Sequence, residues 1–90
     1  MSNYKVTKEM VEAQVVDKTF TLLPSGKKMI CELTLKNGFT VTGEAGVVDK
    51  ENFVQEIGER LSYQRALDNV WPLLGYEMQS RLHEDLNKQA

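Results

Sequence analysis

The residues best suited to chemistry lie in the second half of the chain, in the set Arg60, Tyr63, Arg65 and Asn69. If this region forms an oligomer interface, the arginines could bind phosphate groups bidentately while Tyr63 or Trp71 stacks on a base. The set is therefore a candidate ligand-binding site for a small anionic nucleotide. The competing interpretation, which we favour, is that the two arginines form surface ion pairs with Glu56 and Asp68, each worth less than about 1 kcal/mol.

Residues that support catalysis are sparse. A catalytic site needs a nucleophile beside a base, a metal cluster, or carboxylates in contrasting environments. His83 lies alone in a polar stretch and Cys31 falls at a core-facing strand position, so a zinc site lacks its ligands. The segment 43–46 lacks the lysine and hydroxyl of a phosphate loop, and Glu84 and Asp85 read as a solvated helix face. We predict no enzymatic activity, no metal and no cofactor.

Composition narrows the class of protein further. The 90 residues predict one small domain, 1–90, whose thin core a second copy would help to complete. The net charge is −2, from 11 basic and 13 acidic residues scattered along the chain, so we expect no nucleic-acid partner. One cysteine, no apolar leader in the first five residues and no apolar run of about 18–20 residues indicate an intracellular protein without a membrane segment.

The scaffold begins with a short helix and a β-hairpin. Thr7 is a suitable N-cap for a short helix. Residues 19–22 alternate polar and apolar, the Pro-Ser-Gly segment 24–26 turns the chain, and 28–35 form a second strand.

The Asn-Gly connection after Leu35 fixes the register of a third strand. A two-residue loop would place Leu33 and Leu35 on the face opposite Phe39 and Val41. A three-residue loop, with Gly38 in the left-handed conformation, pairs Leu35 with Phe39 and Leu33 with Val41, so that the large apolar side chains share one face. We predict the three-residue loop.

A long helix should follow. Asp49 is a good N-cap, so the helix is expected to begin near Lys50. At about 100° per residue, its apolar side chains change sides near Ser62. The first group is Phe53, Val54, Ile57 and Leu61, and the second is Tyr63, Ala66, Leu67, Val70 and Trp71. Such a helix either bends round its own core or contacts two different bodies.

We favour the second arrangement, in which the chain forms a homodimer or a higher oligomer. Small side chains recur every four residues, at Gly58, Ser62 and Ala66, and they would let another backbone approach closely. The predicted oligomer interface comprises Gly58, Ser62, Ala66, Leu67, Val70 and Trp71.

The Trp71-Pro72 pair is expected to break the helix, because proline lacks an amide donor and clashes with the preceding turn. Met78, Leu82 and Leu86 then mark a second, shorter amphipathic helix that ends in the polar tail 87–90. The predicted fold class is α+β: a short N-terminal helix, a three-stranded antiparallel sheet, and a C-terminal helical hairpin or one long helix broken at the proline.

One set of segments is specific enough to indicate a lineage. They are Leu33-Thr34-Leu35-Lys36-Asn37-Gly38-Phe39-Thr40-Val41-Thr42-Gly43-Glu44, Glu51-Asn52-Phe53, Glu56-Ile57-Gly58, Ala66, Trp71-Pro72-Leu73-Leu74-Gly75-Tyr76 and Arg81-Leu82. With this spacing, over more than half of the sequence, the chain resembles the gene-49/gene-66 family of small tailed-phage proteins. The resemblance implies a phage or prophage protein in the host cytoplasm, and it implies no settled activity.

Two departures from the family pattern lie between the third strand and the long helix. Many relatives have Ser-Ala-Cys where this chain has Ala45-Gly46-Val47, and they often have proline where it has Lys50. The missing hydroxyl and thiol argue against a nucleophilic site at this junction.

The leading functional hypothesis is a non-enzymatic phage accessory protein that binds a host macromolecule as a homo-oligomer. An alternative, by architectural analogy with phage proteins that combine a sheet with a helical hairpin, is an anti-defence sponge that sequesters a cyclic nucleotide immune signal. A structural part of the virion is less favoured for so short a chain without repeats.

Overall fold

The computed structural model describes residues 4–88. Its main elements are α1 (Lys8–Ala13), β1 (Val15–Leu22), β2 (Lys28–Leu35), β3 (Thr40–Gly46), α2 (Gln55–Asp68) and α3 (Trp71–Lys88). The strands form one antiparallel sheet in the order β1-β2-β3, and α2 packs on one of its faces. The predicted α+β fold is confirmed, and the long helix broken at the proline is the C-terminal arrangement present.

Helix α1 begins where the sequence predicted. The Thr7 hydroxyl accepts a hydrogen bond from the Met10 amide at 3.2 Å, which satisfies one of the free donors of the first turn. Val11 is 1% exposed and joins the core, and Val6 packs against it. A helix of 6 residues is too short to persist alone, so this anchor is what holds it.

The sheet register is also as predicted. Leu33 pairs with Val41 and Cys31 with Gly43. The Leu35 amide donates to the Phe39 carbonyl at 2.8 Å, which closes the three-residue loop. Gly38 has φ +89°, in the left-handed region that this loop requires and that glycine adopts without strain. Alternate side chains of β2 therefore point towards α2 and form the floor of the core.

The start of α2 differs from the prediction. The Asp49 side chain caps only a single 3₁₀ turn, Lys50–Asn52, by accepting from the Glu51 amide at 2.9 Å. Phe53 and Val54 are extended, and the α-helix begins at Gln55. The extended segment lets the Phe53 ring lie over Gly58, where an added Cβ would come within 2.9 Å of the ring. Packing of this ring outweighs the local preference to continue the helix.

Helix α2 buries its small side chains and Leu67, while its large side chains Ile57 and Leu61 stay partly exposed. Gly58, Ser62 and Ala66 face the sheet, and a Cβ placed on Gly43 of β3 would lie 2.2 Å from the Ala66 nitrogen. Helix and strand are therefore in close backbone contact. The expected change of apolar face is present. Ala66, Leu67 and Val70 of the second group are buried inside the protomer, whereas Ile57 of the first group is 46% exposed.

Helix α3 begins at Trp71, so the predicted break at Trp71-Pro72 is present and separates α3 from α2. It has 18 residues against 14 in α2, so the prediction of a shorter second helix is wrong. The molecule measures 61 × 25 × 17 Å, and its radius of gyration of 16.9 Å exceeds the value of about 12 Å for a compact domain of this length. The predicted tail 87–90 lies partly outside the described residues. Across residues 4–88, α3 included, no helix is long and apolar enough to cross a membrane.

Candidate binding surfaces

The four predicted ligand residues do not converge on one site. Arg65 and Asn69 reach the outer edge of β3, whereas Tyr63 lies on the β1 side of α2. At about 100° per residue, Tyr63 and Arg65 are about 160° apart around the helix, on either side of its buried stripe. Arg60 is exposed. A phosphate held by Arg65 therefore cannot have its base stacked on Tyr63 of the same protomer.

Arg65 and Asn69 donate hydrogen bonds to the backbone of β3. The Arg65 guanidinium donates to the Glu44 carbonyl at 2.8 Å, and the Asn69 amide donates to the Thr42 carbonyl at 2.6 Å. These carbonyls point away from β2, along the free edge of the sheet. The side chains thus satisfy acceptors that an edge strand otherwise leaves open to another strand. The predicted ion pair of Arg65 with Asp68 is wrong, because Arg65 binds a carbonyl instead, and within residues 4–88 Arg60 and Glu56 form no ion pair either.

A cleft of about 380 Å³ surrounds this edge. Its walls include Arg65, Asn69, Glu44 and Asp68. Lys28 lies 3.4 Å from the Glu44 carboxylate, so this carboxylate already has a cation. The cleft contains two carboxylates and one arginine, Arg65, whose guanidinium already donates to a backbone carbonyl. This arrangement disfavours an anionic ligand at this position.

Tyr63 stabilises the contact between α2 and β1. The Lys18 ammonium lies 4.9 Å from the centre of the Tyr63 ring, in the position of a cation–π contact. Burial raises the pKa of the Tyr63 phenol, and the negative charge of Glu12 raises it further. The phenol therefore keeps its proton at physiological pH, which disfavours a role for Tyr63 as a general base.

The remaining candidates for catalysis are isolated. Cys31 is fully buried, and burial raises the pKa of its thiol, which lowers the reactive thiolate fraction. His83 is exposed and pairs with Asn87 at 3.2 Å on the same helix. Within residues 4–88 no cluster of three or more His, Cys, Asp or Glu could hold a metal ion.

The predicted oligomer interface lies mostly inside the protomer. Five of its residues, Gly58, Ser62, Ala66, Leu67 and Val70, are buried, and only Trp71 is substantially exposed, at 38%. The backbone that approaches the small residues is the protomer's own β3, not that of a second copy. Self-association stays a prediction, and it requires a different surface.

The outer edge of β1 is blocked by its own sequence. A β-bulge at Val16 disturbs the register between Val15 and Asp17, and the Lys18 amide is occupied by the Asp17 carboxylate at 2.9 Å. A bulge and adjacent charges are features by which proteins prevent edge-to-edge pairing. Both edges of the sheet are therefore poor templates for another strand.

Helix α3 carries all its charges on one side. At about 100° per residue, its Asp, Glu, Lys and Arg residues fall within about 100°, and a sector about 200° wide on the opposite side has none of them. This uncharged sector of α3 runs from Trp71 through Gly75, Gln79 and Tyr76 to Leu73. The charged side faces α1, since Glu77 and Arg81 line a groove with Met10 and the Tyr4 hydroxyl donates to the Asp85 carboxylate.

Most of the uncharged sector faces solvent, and Gly75 and Leu82 are partly exposed. Tyr76 is 78% exposed, Leu86 is 57% exposed, and Trp71 and Leu73 are each nearly 40% exposed. None of the residues of α3 is buried. A surface depleted in charge and containing Trp and Tyr has the composition of the centre of a protein interface. Sequence reasoning missed this surface because it followed apolar periodicity; the one-sided distribution of charge along 71–88 was the available signal.

A second apolar surface lies where β3 meets the start of α2. Val54 and Ile57 are nearly half exposed, Leu61 is 37% exposed and Val48 is 92% exposed. Phe53, Val54, Ile57 and Leu61 line a small apolar pocket. We call these residues the α2 corner. The corner is the first apolar group of the predicted helix, left uncovered because α2 turns its small residues to the sheet.

Comparison with known proteins agrees with the resemblance noted in the sequence. No curated protein and no solved structure gives a significant match to this chain. One protein-family model matches, described as Phage protein (N4 Gp49/phage Sf6 gene 66) family, and it covers residues 6–82. The match spans α1, the whole sheet, α2 and two thirds of α3. The chain therefore belongs to the N4 Gp49/phage Sf6 gene 66 family of phage proteins.

Proposed function

We propose that this phage protein is a non-enzymatic accessory protein that acts by binding a host macromolecule in the host cytoplasm, as a homo-oligomer. The observation that supports the proposal is α3, a helix of 18 residues of which none is buried. An isolated helix of this length is marginally stable in water. A partner that covers α3 supplies the burial that the protomer does not.

The number of exposed apolar surfaces also supports this function. The uncharged sector of α3 and the α2 corner lie on different helices, and each has several large side chains in solvent. Patches of this kind on a small protein mark interaction sites. One surface serves self-association and leaves the other for a target.

The distribution of reactive groups favours binding over catalysis. The Cys31 thiol is buried with a raised pKa, and Tyr63 is neutral beside Lys18. Catalytic groups are instead expected to converge in a cleft, with pKa values shifted towards neutrality.

The nucleotide-sponge alternative receives less support from the geometry. Arg65 and Asn69 already bind the carbonyls of β3, and Tyr63 is on the far side of α2. A cyclic nucleotide site would need residues from two protomers. Calorimetric titration with a panel of cyclic nucleotides tests this alternative, and binding that is lost in Arg60→Ala would restore it.

Capture of bound macromolecules from infected cells tests the leading proposal. The variant Ile57→Asp places a charge in the α2 corner, and Gln64→Asp adds the same charge at an exposed position of the same helix. We expect one target to be recovered with the wild type and Gln64→Asp and lost with Ile57→Asp, with unchanged sedimentation of all three proteins. Turnover of a metabolite by the purified protein, with no target recovered, would contradict the proposal.

A further inference from the structure

Four residues along one border of the uncharged sector of α3 have a symmetrical spacing. Trp71, Gly75, Leu82 and Leu86 fall within about 60° of one another around the helix. Their spacings along the chain are four, seven and four residues, the same read in either direction. A stripe with this property matches a second copy of itself laid antiparallel, as a two-fold interface requires.

The sizes of these side chains are complementary in that arrangement. Antiparallel pairing about a two-fold axis between positions 78 and 79 sets Leu82 opposite Gly75 of the second copy, and Trp71 opposite Leu86 of the second copy. A Cβ placed on Gly75 meets no atom within 4 Å, so there is open space above this glycine. A leucine side chain from the facing helix can fill that space, as a knob fills a hole.

The absence of charge on this sector also favours a second copy as the partner. Each helix presents a sector without Asp, Glu, Lys or Arg, so two copies meet without a like-charge pair although the protein carries a net charge of −2. The charged residues Glu77, Arg81 and Asp85 lie on the side towards α1 and stay clear of the contact. The sheet edges offer no competing route, because Arg65 and Asn69 occupy one and the bulge at Val16 disturbs the other.

We propose that α3 pairs antiparallel with α3 of a second copy through Trp71, Gly75, Leu82 and Leu86. This inference rests on the proposed function and names the surface by which the protein self-associates. The overlap extends over nearly the whole helix of 18 residues. A stable interface needs roughly 1,000 Å² of buried surface in total, and the two tryptophans and four leucines of this contact are the main source of that area.

Sedimentation equilibrium over a range of concentrations tests the pairing. In the variant Gly75→Leu the new side chain fills the hole that Leu82 of the second copy occupies, and its Cβ meets no atom of its own protomer within 4 Å. We expect a wild-type dimer whose dissociation constant rises at least tenfold in Gly75→Leu. The control Ser80→Leu adds the same side chain at an exposed position outside the stripe and should change the constant less than twofold.

A compensating variant tests the register. In the double variant Gly75→Leu with Leu82→Ala, each new leucine faces a new alanine of the second copy, so dimerisation is expected to recover to within about threefold of the wild type. Recovery requires that positions 75 and 82 face each other. Failure of the double variant to recover, with Gly75→Leu still weakened, would overturn this register.

Disulfide trapping gives an independent readout. Gln79 flanks the stripe beside the two-fold axis, where a residue faces its own copy, whereas Glu84 lies on the charged side. Under oxidation by air and copper phenanthroline we expect covalent dimers of Gln79→Cys and none of Glu84→Cys, and Cys31 is buried in both. Equal trapping of the two variants would contradict the pairing.

The outcomes separate this inference from the proposed function. A wild-type dimer that is indifferent to Gly75→Leu overturns the α3 pairing and leaves a self-associating binding protein. A wild-type protein that is monomeric at every concentration overturns both the pairing and the homo-oligomer.

Discussion

The two long helices differ in how they meet the rest of the molecule. Helix α2 has 14 residues and buries Gly58, Ser62, Ala66 and Leu67, whereas α3 has 18 residues and buries none. Apolar periodicity alone would predict that α3 is the more buried helix, because α3 has the regular stripe of Met78, Leu82 and Leu86 and α2 has no such stripe. Burial in this fold follows the space between backbones rather than the count of large apolar side chains.

The close contact of α2 with β3 explains the difference. Gly43 leaves no room for a side chain between strand and helix, so the facing positions of α2 must also be small. Small residues in close contact bury backbone and exclude water, and they displace the larger Ile57 and Leu61 to the surface. Helix α3 has no such contact, and its exposed large side chains, such as Tyr76 and Leu86, are available to another chain.

The largest expected effect tests this contact directly. In Gly43→Ala the new Cβ would lie 2.2 Å from the Ala66 nitrogen and 2.5 Å from the Ser62 carbonyl oxygen, so helix and strand must separate. We expect the free energy of unfolding, measured by urea denaturation, to fall by about 3 kcal/mol or more.

Gly75 of α3 provides the control for the Gly43 variant. Gly75→Ala meets open space and replaces glycine within a helix, so it should stabilise a dilute sample by about 0.5–1 kcal/mol. Similar values for the two variants would mean that α2 and α3 are not in different environments.

A leucine pair sharpens the comparison of the helices. Leu67 of α2 is 4% exposed and Leu86 of α3 is 57% exposed. Leu67→Ala removes buried methyl groups and leaves a cavity, so we expect a loss of about 2–3 kcal/mol in the free energy of unfolding. Leu86→Ala should cost less than about 0.5 kcal/mol in a dilute sample. A larger cost for Leu86→Ala that grows with protein concentration would indicate that α3 is covered by a second copy.

Local rules predicted much of the fold from the sequence. The cap at Thr7, the left-handed Gly38 and the break at Trp71-Pro72 are each determined by a few adjacent residues, and each is present. The register of β3 followed from requiring one apolar face, because a slip of one residue exposes the whole set. These features needed no knowledge of distant contacts.

The parts that the sequence did not predict depend on distant contacts. The start of α2 is delayed to Gln55 because Phe53 lies over Gly58, and the buried face of α2 is chosen by Gly43, which belongs to another element. The candidate ligand residues failed to converge for the same reason. Arg65 and Tyr63 lie on opposite sides of the buried face of α2. The sequence alone did not show that the small residues of α2 form this face, so it did not show that the two side chains point apart.

A smaller effect is expected at the edge of β3. Asn69→Ala removes the hydrogen bond to the Thr42 carbonyl at an exposed site, so we expect a loss of about 0.5–1 kcal/mol in the free energy of unfolding. The neighbouring exposed variant Gln64→Ala, which has no such bond among the described residues, should be within about 0.5 kcal/mol of the wild type. The double variant with Arg65→Ala leaves both carbonyls open, and light scattering should then detect aggregation through this edge.

The smallest effect concerns the contact of α2 with β1. Burial raises the pKa of Tyr63 above its ordinary value of 10.0, so the folded state holds the phenol proton more tightly than the unfolded chain. The resulting stability is fully present below about pH 10 and is lost as the pH rises through the folded-state pKa. Tyr63→Phe cannot ionise and should lose less stability than the wild type between about pH 9.5 and 11. Cys31 is present in both proteins, so the difference between their urea midpoints reports on Tyr63 alone. If the two midpoints fall equally as the pH rises, the Tyr63 ring lies outside the core that α2 forms.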